Sequence, residues 1–66
     1  MFEVAELTAK CDNGFTIWQR TSGLMLSHYR FEIRDGTDII EANLRSNKLR
    51  DVLNERSYHC LFLGGG

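Results

Sequence analysis

The stretch from Tyr29 to Leu44 limits what this chain can fold into more than any other. Tyr29, Phe31 and Ile33 alternate with Arg30, Glu32 and Arg34, so one face is apolar and the other charged. Asp35-Gly36 follows at once. A type I′ hairpin turn needs positive φ at both central residues, and Asp-Gly suits it. As a two-residue loop, Asp35-Gly36 pairs Phe31 with Ile40, Tyr29 with Ala42 and Arg30 with Glu41. A three-residue loop would set Phe31 against Glu41 and fits worse. The competing reading is one long helix capped by Thr37 and running from Asp38 to Glu55. Its stripe would be Ile39, Ala42, Leu49, Val52 and Leu53. Ile40 and Leu44 fall outside that stripe, and Asn43, Ser46 and Asn47 weaken its middle. The hairpin is the favoured reading.

Upstream, residues 2–10 read as a first strand. Ala5, Leu7, Ala9 and Cys11 face one way, while Glu6, Thr8 and Lys10 face the other; Phe2 and Val4 lie on the polar side. Asp12-Asn13-Gly14 is the first turn. A two-residue loop would set Lys10 opposite Ile17 and Ala9 opposite Trp18. A three-residue loop sets Cys11 opposite Phe15, Ala9 opposite Ile17 and Leu7 opposite Gln19, with Gly14 in the left-handed position. The second register gathers the apolar residues on one face, and a one-residue slip would scatter them. Phe15 to Arg20 is the second strand, with Trp18 on the face opposite Phe15 and Ile17. Thr21-Ser22-Gly23 breaks the chain. Leu24-Met25-Leu26 has no period of its own, and a third strand runs from about Ser27 to Arg34.

Downstream, Ser46 caps a helix from Asn47 to Glu55. Leu49, Val52 and Leu53 form its buried stripe, and Arg45, Lys48, Arg50, Asp51 and Glu55 face solvent. Ser57 restarts the chain. Tyr58 to Leu63 is almost continuously apolar and reads as a strand needing cover on both faces. One helix covers one face of a small sheet. A second copy of the chain is the simplest cover for the other, so a homo-oligomer is expected, with a dimer favoured. The predicted fold class is α+β. A four-stranded antiparallel meander and a C-terminal strand pack with one helix near residues 47–55, in a single domain ending in a Gly64–Gly66 tail.

With 66 residues there is room for one small core. A domain of this size buries only about 60% of its unfolded surface and usually needs a staple or a partner. The two cysteines are too few for a secreted disulfide framework. They are taken as reduced thiols in a cytoplasmic protein, with a Cys11–Cys60 bridge as the alternative. The first six residues carry two acids and no basic region, so no secretory signal is expected. No apolar run approaches the roughly 20 residues of a membrane helix, and no membrane role is expected. The net charge of −1 gives no footprint for duplex DNA. Arg20, Arg30, Arg34, Arg45, Lys48, Arg50 and Arg56 each have an acid nearby in sequence or across the proposed turn. A mixed solvated surface is therefore expected, and nucleic acid is not the expected partner.

Few residues suggest chemistry. Cys11, His28, His59 and Cys60 supply a donor set that zinc accepts, but neither pair has finger spacing, and adjacent His59 and Cys60 point to opposite faces. No metal and no cofactor are expected. A Cys–His dyad has no nucleophile motif around it. Glu3 and Glu6, or Asp35 and Asp38, sit in terminal or turn positions where aspartates serve the turn. No glycine-rich phosphate loop is present. An enzyme is not expected.

The three C-terminal glycines and the chain's size resemble those of ubiquitin-like modifiers and sulfur carriers, which end in Gly-Gly activated as an adenylate or thiocarboxylate. That resemblance implies a carrier using Gly66. The helix of those proteins follows the first hairpin directly, whereas here about 20 residues intervene, and the extra glycine shifts the reactive pair. Trp18, Tyr29 and Phe31 beside Arg20, Arg30 and Arg34 offer a third reading, a single-stranded nucleic-acid module. Tyr29 and Phe31 are better spent on the core. The favoured reading is a small non-catalytic binding or regulatory protein, of the inhibitor type found in phages and mobile elements. It would dock on an unidentified partner protein or small ligand. Trp18, Arg20, Tyr58 and Phe62 are the interface candidates.

Overall fold

The computed structural model describes residues 4–21 and 29–63. Five strands and one helix follow in the order β1 (Val4–Cys11), β2 (Thr16–Thr21), β3 (Tyr29–Asp35), β4 (Asp38–Leu44), α1 (Ser46–Glu55) and β5 (Cys60–Phe62). The strands form one antiparallel sheet in the order β4-β3-β2-β1-β5. This is the expected α+β fold of a meander, a helix and a last strand returning to the sheet, and the structure places that strand beside the first. The Leu24-Met25-Leu26 run, Phe2, His28 and the Gly64–Gly66 tail lie outside the described residues.

The first turn closes as a three-residue loop. Cys11 N–H donates to the Phe15 carbonyl at 2.9 Å, and Gly14 has φ +90°. Ala9 pairs with Ile17 as expected. Beyond that pair a bulge at Thr8 shifts the register, so Leu7 faces Trp18 rather than Gln19. An extra residue on one strand reverses the side-chain alternation beyond it, and Leu7 leaves the core face.

The second hairpin turns one residue later than expected. Asp35 pairs with Asp38, leaving Gly36 and Thr37 as the loop. Among the described turn residues here only Gly36 has positive φ, at +63°. A type II′ turn asks for that at its first central position alone, whereas a turn centred on Asp35-Gly36 would ask it of Asp35 too. Two irregularities then displace the pairing further. Ile33 faces Glu41 and Phe31 faces Leu44, not Ile40, and the expected Arg30–Glu41 and Tyr29–Ala42 pairs do not form. Asn43 absorbs part of this shift at φ +60°, a conformation asparagine tolerates better than most residues. Residues 38–44 are strand, so the long-helix alternative is excluded.

The helix begins one residue early. Arg45, not Ser46, holds the N-cap position with extended backbone, and no side chain caps it. Its C-terminus is well closed. Ser57 N–H donates to Asn54 and Tyr58 N–H to the Leu53 carbonyl at 2.9 Å, with Ser57 at φ +55°. That is the Schellman pattern, in which a left-handed residue satisfies the last helical carbonyls.

The core lies between the helix and one sheet face. Ala9, Ile17 and Ile33 are neighbours across β1, β2 and β3 and are fully buried. Leu44, Leu49 and Val52 close over them, with Phe15, Phe31 and Leu53 packed around. The reduced-thiol expectation is overturned. Cys11 and Cys60 are directly paired between β1 and β5 and joined by a disulfide. The pairing depends on a return of the chain across 49 residues, which no local pattern announces.

Candidate functional site

Two surfaces stand out, one on each side of the sheet. The first surrounds β5. This strand pairs with β1 on one side and is last in the sheet order, so its other edge is open among the described residues. Leu61 and Phe62 of this strand and Leu63 just after it are large and apolar, yet 73%, 52% and 42% exposed. Leu61 faces Lys10 on the helix-free side, and Phe62 faces Ala9 on the helix side. Among the described residues, neither Leu61 on one face nor Phe62 on the other is buried. Beside Phe62 lies an open groove of about 300 Å³ lined by Phe31, Ser46, Leu49, Arg50, Leu53 and Phe62. The strand is shorter than the expected run from Tyr58. Tyr58 and His59 precede it, and the Tyr58 ring packs edge-on against Phe15 with centroids 5.4 Å apart. Arg56 donates to Glu41 at 2.6 Å and is held above its ordinary pKa by that carboxylate, then by Tyr58.

The second surface is the helix-free face. Glu32 sits at its centre and is only 5% exposed. Arg34 donates through Nε and Nη2 to Glu32 Oε1 at 2.8 and 2.6 Å, and Arg20 Nε donates to Oε2 at 2.9 Å. Burial alone would push the Glu32 carboxyl up. The hydrogen bonds and charges of Arg20 and Arg34 outweigh it and hold the group below the ordinary carboxylate value. The Arg34 guanidinium also lies over the Trp18 ring, 4.5 Å from its centroid. Trp18 Nε1 donates to Thr16 Oγ1 at 3.0 Å, which fixes the ring on the sheet.

The four interface candidates therefore do not form one site. Trp18 and Arg20 stand on the helix-free face, and Tyr58 and Phe62 on the other side near β5. Tyr58 is half-buried within the chain's own aromatic cluster. Phe62 is the candidate that borders open apolar space.

No family model, curated protein or solved structure matches this chain.

Sequence reasoning set Arg34 beside Trp18 and Arg20 but missed Glu32, the carboxylate that holds both arginines. Its signal was the period of two, which places residues 30, 32 and 34 together. Among the described residues no cluster of three or more His, Cys, Asp or Glu could hold a metal ion. None of the helices among them is long and apolar enough to cross a membrane.

Proposed function

We propose that this chain is a small non-catalytic binding protein whose docking element is the open edge of β5 with the Phe62 groove. The observation that carries the reading is the exposure of Leu61, Phe62 and Leu63 on an edge strand. An edge strand offers a row of unpaired backbone groups as a template for another strand, and native proteins usually blunt it with charge or proline. Residues 58–63 contain neither a charged side chain nor a proline. An extended apolar segment added there would gain main-chain hydrogen bonds, with the groove receiving a side chain.

A second copy of the chain is the first partner to consider. Lys10 and Leu61 face each other as the hydrogen-bonded pair, because Asp12 N–H reaches the His59 carbonyl and Leu63 N–H the Thr8 carbonyl. The backbone groups of Cys60 and Phe62 then point outward. An antiparallel copy centred on Leu61 would pair Cys60 of one chain with Phe62 of the other twice, the self-complementarity a two-fold interface needs. A cytoplasmic address belongs to the same proposal. It would make the Cys11–Cys60 bond a variable, since cytosolic systems keep thiols reduced.

Light scattering after size exclusion tests the reading. The intact chain should run at the mass of two copies at micromolar concentration, and Leu61→Asp at the mass of one. A single-copy mass for the intact chain would remove the dimer. Failure of extended apolar peptides to bind the β5 edge as well would remove the docking element.

A further inference from the structure

The Phe62 groove joins an apolar trough to one cation. Burial sorts its lining. Leu49 is buried and Phe31 and Leu53 are half-buried, while Ser46, Arg50 and Phe62 are exposed. The helix wall of the groove follows from spacing, because residues three and four apart share a helix face. Leu49 and Leu53 make an apolar row, and Ser46 and Arg50 make a polar row alongside it. The helix carboxylates lie elsewhere. Asp51 and Glu55 form a row with Lys48, which the helical repeat turns to the far side of α1.

Arg50 thus reaches the groove without a counter-ion. Among the described residues it makes no hydrogen bond and no ion pair. Residues 45–50 hold three cations and no carboxylate. Of the strand carboxylates on the helix side, Glu41 is engaged by Arg56 at 2.6 Å, and Glu6 forms no ion pair with Arg50. Small-molecule sites are mostly apolar with a few placed polar groups, and about 300 Å³ is the lower end of their size range. A wholly apolar molecule would leave the polar row unused. A small polar anion would gain nothing from the apolar row, and an organic cation would be repelled. A molecule with one alkyl chain and one carboxylate uses both rows.

We propose that the groove binds a single-chain amphipathic carboxylate. Its alkyl chain lies along Phe31, Leu49, Leu53 and Phe62, and its carboxylate accepts from the Arg50 guanidinium and the Ser46 hydroxyl. The site shares the groove with the docking reading but needs neither the β5 edge nor a second copy, so the two fail separately.

The test titrates full-length protein with decanoate below its micelle concentration, read by calorimetry and by backbone amide shifts. Acetate supplies the head without the chain, and decyltrimethylammonium the chain with reversed charge. Decanoate should bind ahead of both and move the amides of Leu49, Arg50, Leu53 and Phe62, while the Trp18 indole on the other face stays still. Arg50 is exposed and unbonded, so Arg50→Gln is unlikely to disturb folding. It should weaken decanoate several-fold and remove the preference over decyltrimethylammonium. Phe62→Ser should weaken decanoate and decyltrimethylammonium alike. Leu61→Asp should leave decanoate binding unchanged, whatever it does to the mass of the particle. The proposal is overturned if acetate or decyltrimethylammonium binds as well as decanoate, if the shifts fall outside the groove, or if Arg50→Gln has no effect. Uptake by anionic lipid vesicles without binding of monomeric decanoate would overturn it too.

Discussion

Cys11 and Cys60 stand opposite each other on β1 and β5, 3.8 Å apart at Cα, and share a disulfide. Directly opposed residues approach most closely at the non-hydrogen-bonded positions of an antiparallel pair, and this pair occupies one: Asp12 donates past it to His59. The bond ties a three-residue strand to the sheet and closes a loop across a separation of 49 residues. In the chain-entropy account, a loop of that length is worth about 4 kcal/mol.

Replacing both cysteines by alanine should therefore lower stability by about 2–4 kcal/mol, read from the denaturant midpoint. Local loss should precede global loss. The Asp12 and Leu63 amides, which hold β5 to β1, should exchange hydrogen faster on reduction, while those of Ile17 and Ile33 stay protected. Equal midpoints for the bridged and double-alanine chains would show that the bond contributes nothing.

Glu32 should shape the acid limb of stability. Its carboxyl is held below the ordinary carboxylate value in the folded chain, because Arg20 and Arg34 overcome the opposing effect of burial. A depressed folded pKa gives stability that is fully present above the unfolded value. That stability is lost as pH falls through the folded one. Melting temperatures should thus hold steady near neutrality and fall as pH drops below about 4.5. Glu32→Gln should cost about 1.5–3 kcal/mol at pH 7, the range for hydrogen bonds to charged groups. It should also flatten the acid limb. A variant with the same acid limb as the natural chain would place the titrating group elsewhere.

Both hairpins were legible because strand alternation and turn glycines are local signals. Ile17 and Ile33 could be assigned to the core from period two alone. Register was legible beside the first turn, where Ala9 pairs with Ile17, and not beyond it. The Thr8 bulge and the irregular β3–β4 pairing carry no compositional mark, apart from Asn43, a residue suited to the left-handed conformation it adopts. The bridge was named only as the alternative, for a different reason. It forms only once β5 has come to lie beside β1, a non-local event. The Glu32 cluster was within reach: residues 30, 32 and 34 share a side, and so do 18 and 20. Pairing β2 with β3 was the missing step that brings Arg34 over Trp18.

Ser57 is the C-terminal helix position where glycine is normally found. Its φ of +55° places Cβ in an unfavourable arrangement, while its N–H and that of Tyr58 close the helix end. Ser57→Gly should stabilise the domain by roughly 1 kcal/mol, and Ser57→Val should destabilise it by more than that. Thermal melts of the two variants check the sign. If glycine is no better than serine, the left-handed cap is not limiting.

The Thr8 bulge can be tested by deletion. Leu7 faces Trp18 and Ala9 faces Ile17, with Thr8 the surplus residue between them. Removing Thr8 joins two segments that already point to opposite faces, as regular alternation requires. The carbonyl of Leu7 would then succeed that of Thr8 as acceptor for Leu63 N–H, a bond of 2.8 Å in the natural chain. Deletion of Thr8 should cost no more than about 1 kcal/mol. Deletion of Lys10 should behave otherwise. It lies between Ala9 and Cys11 on a regular stretch, so its loss reverses every side chain on one side of the gap. Either Ala9 leaves Ile17 or Cys11 leaves Cys60. Comparable midpoints for the two deletions would contradict the register, whereas a folded chain lacking Thr8 beside an unfolded one lacking Lys10 would confirm it.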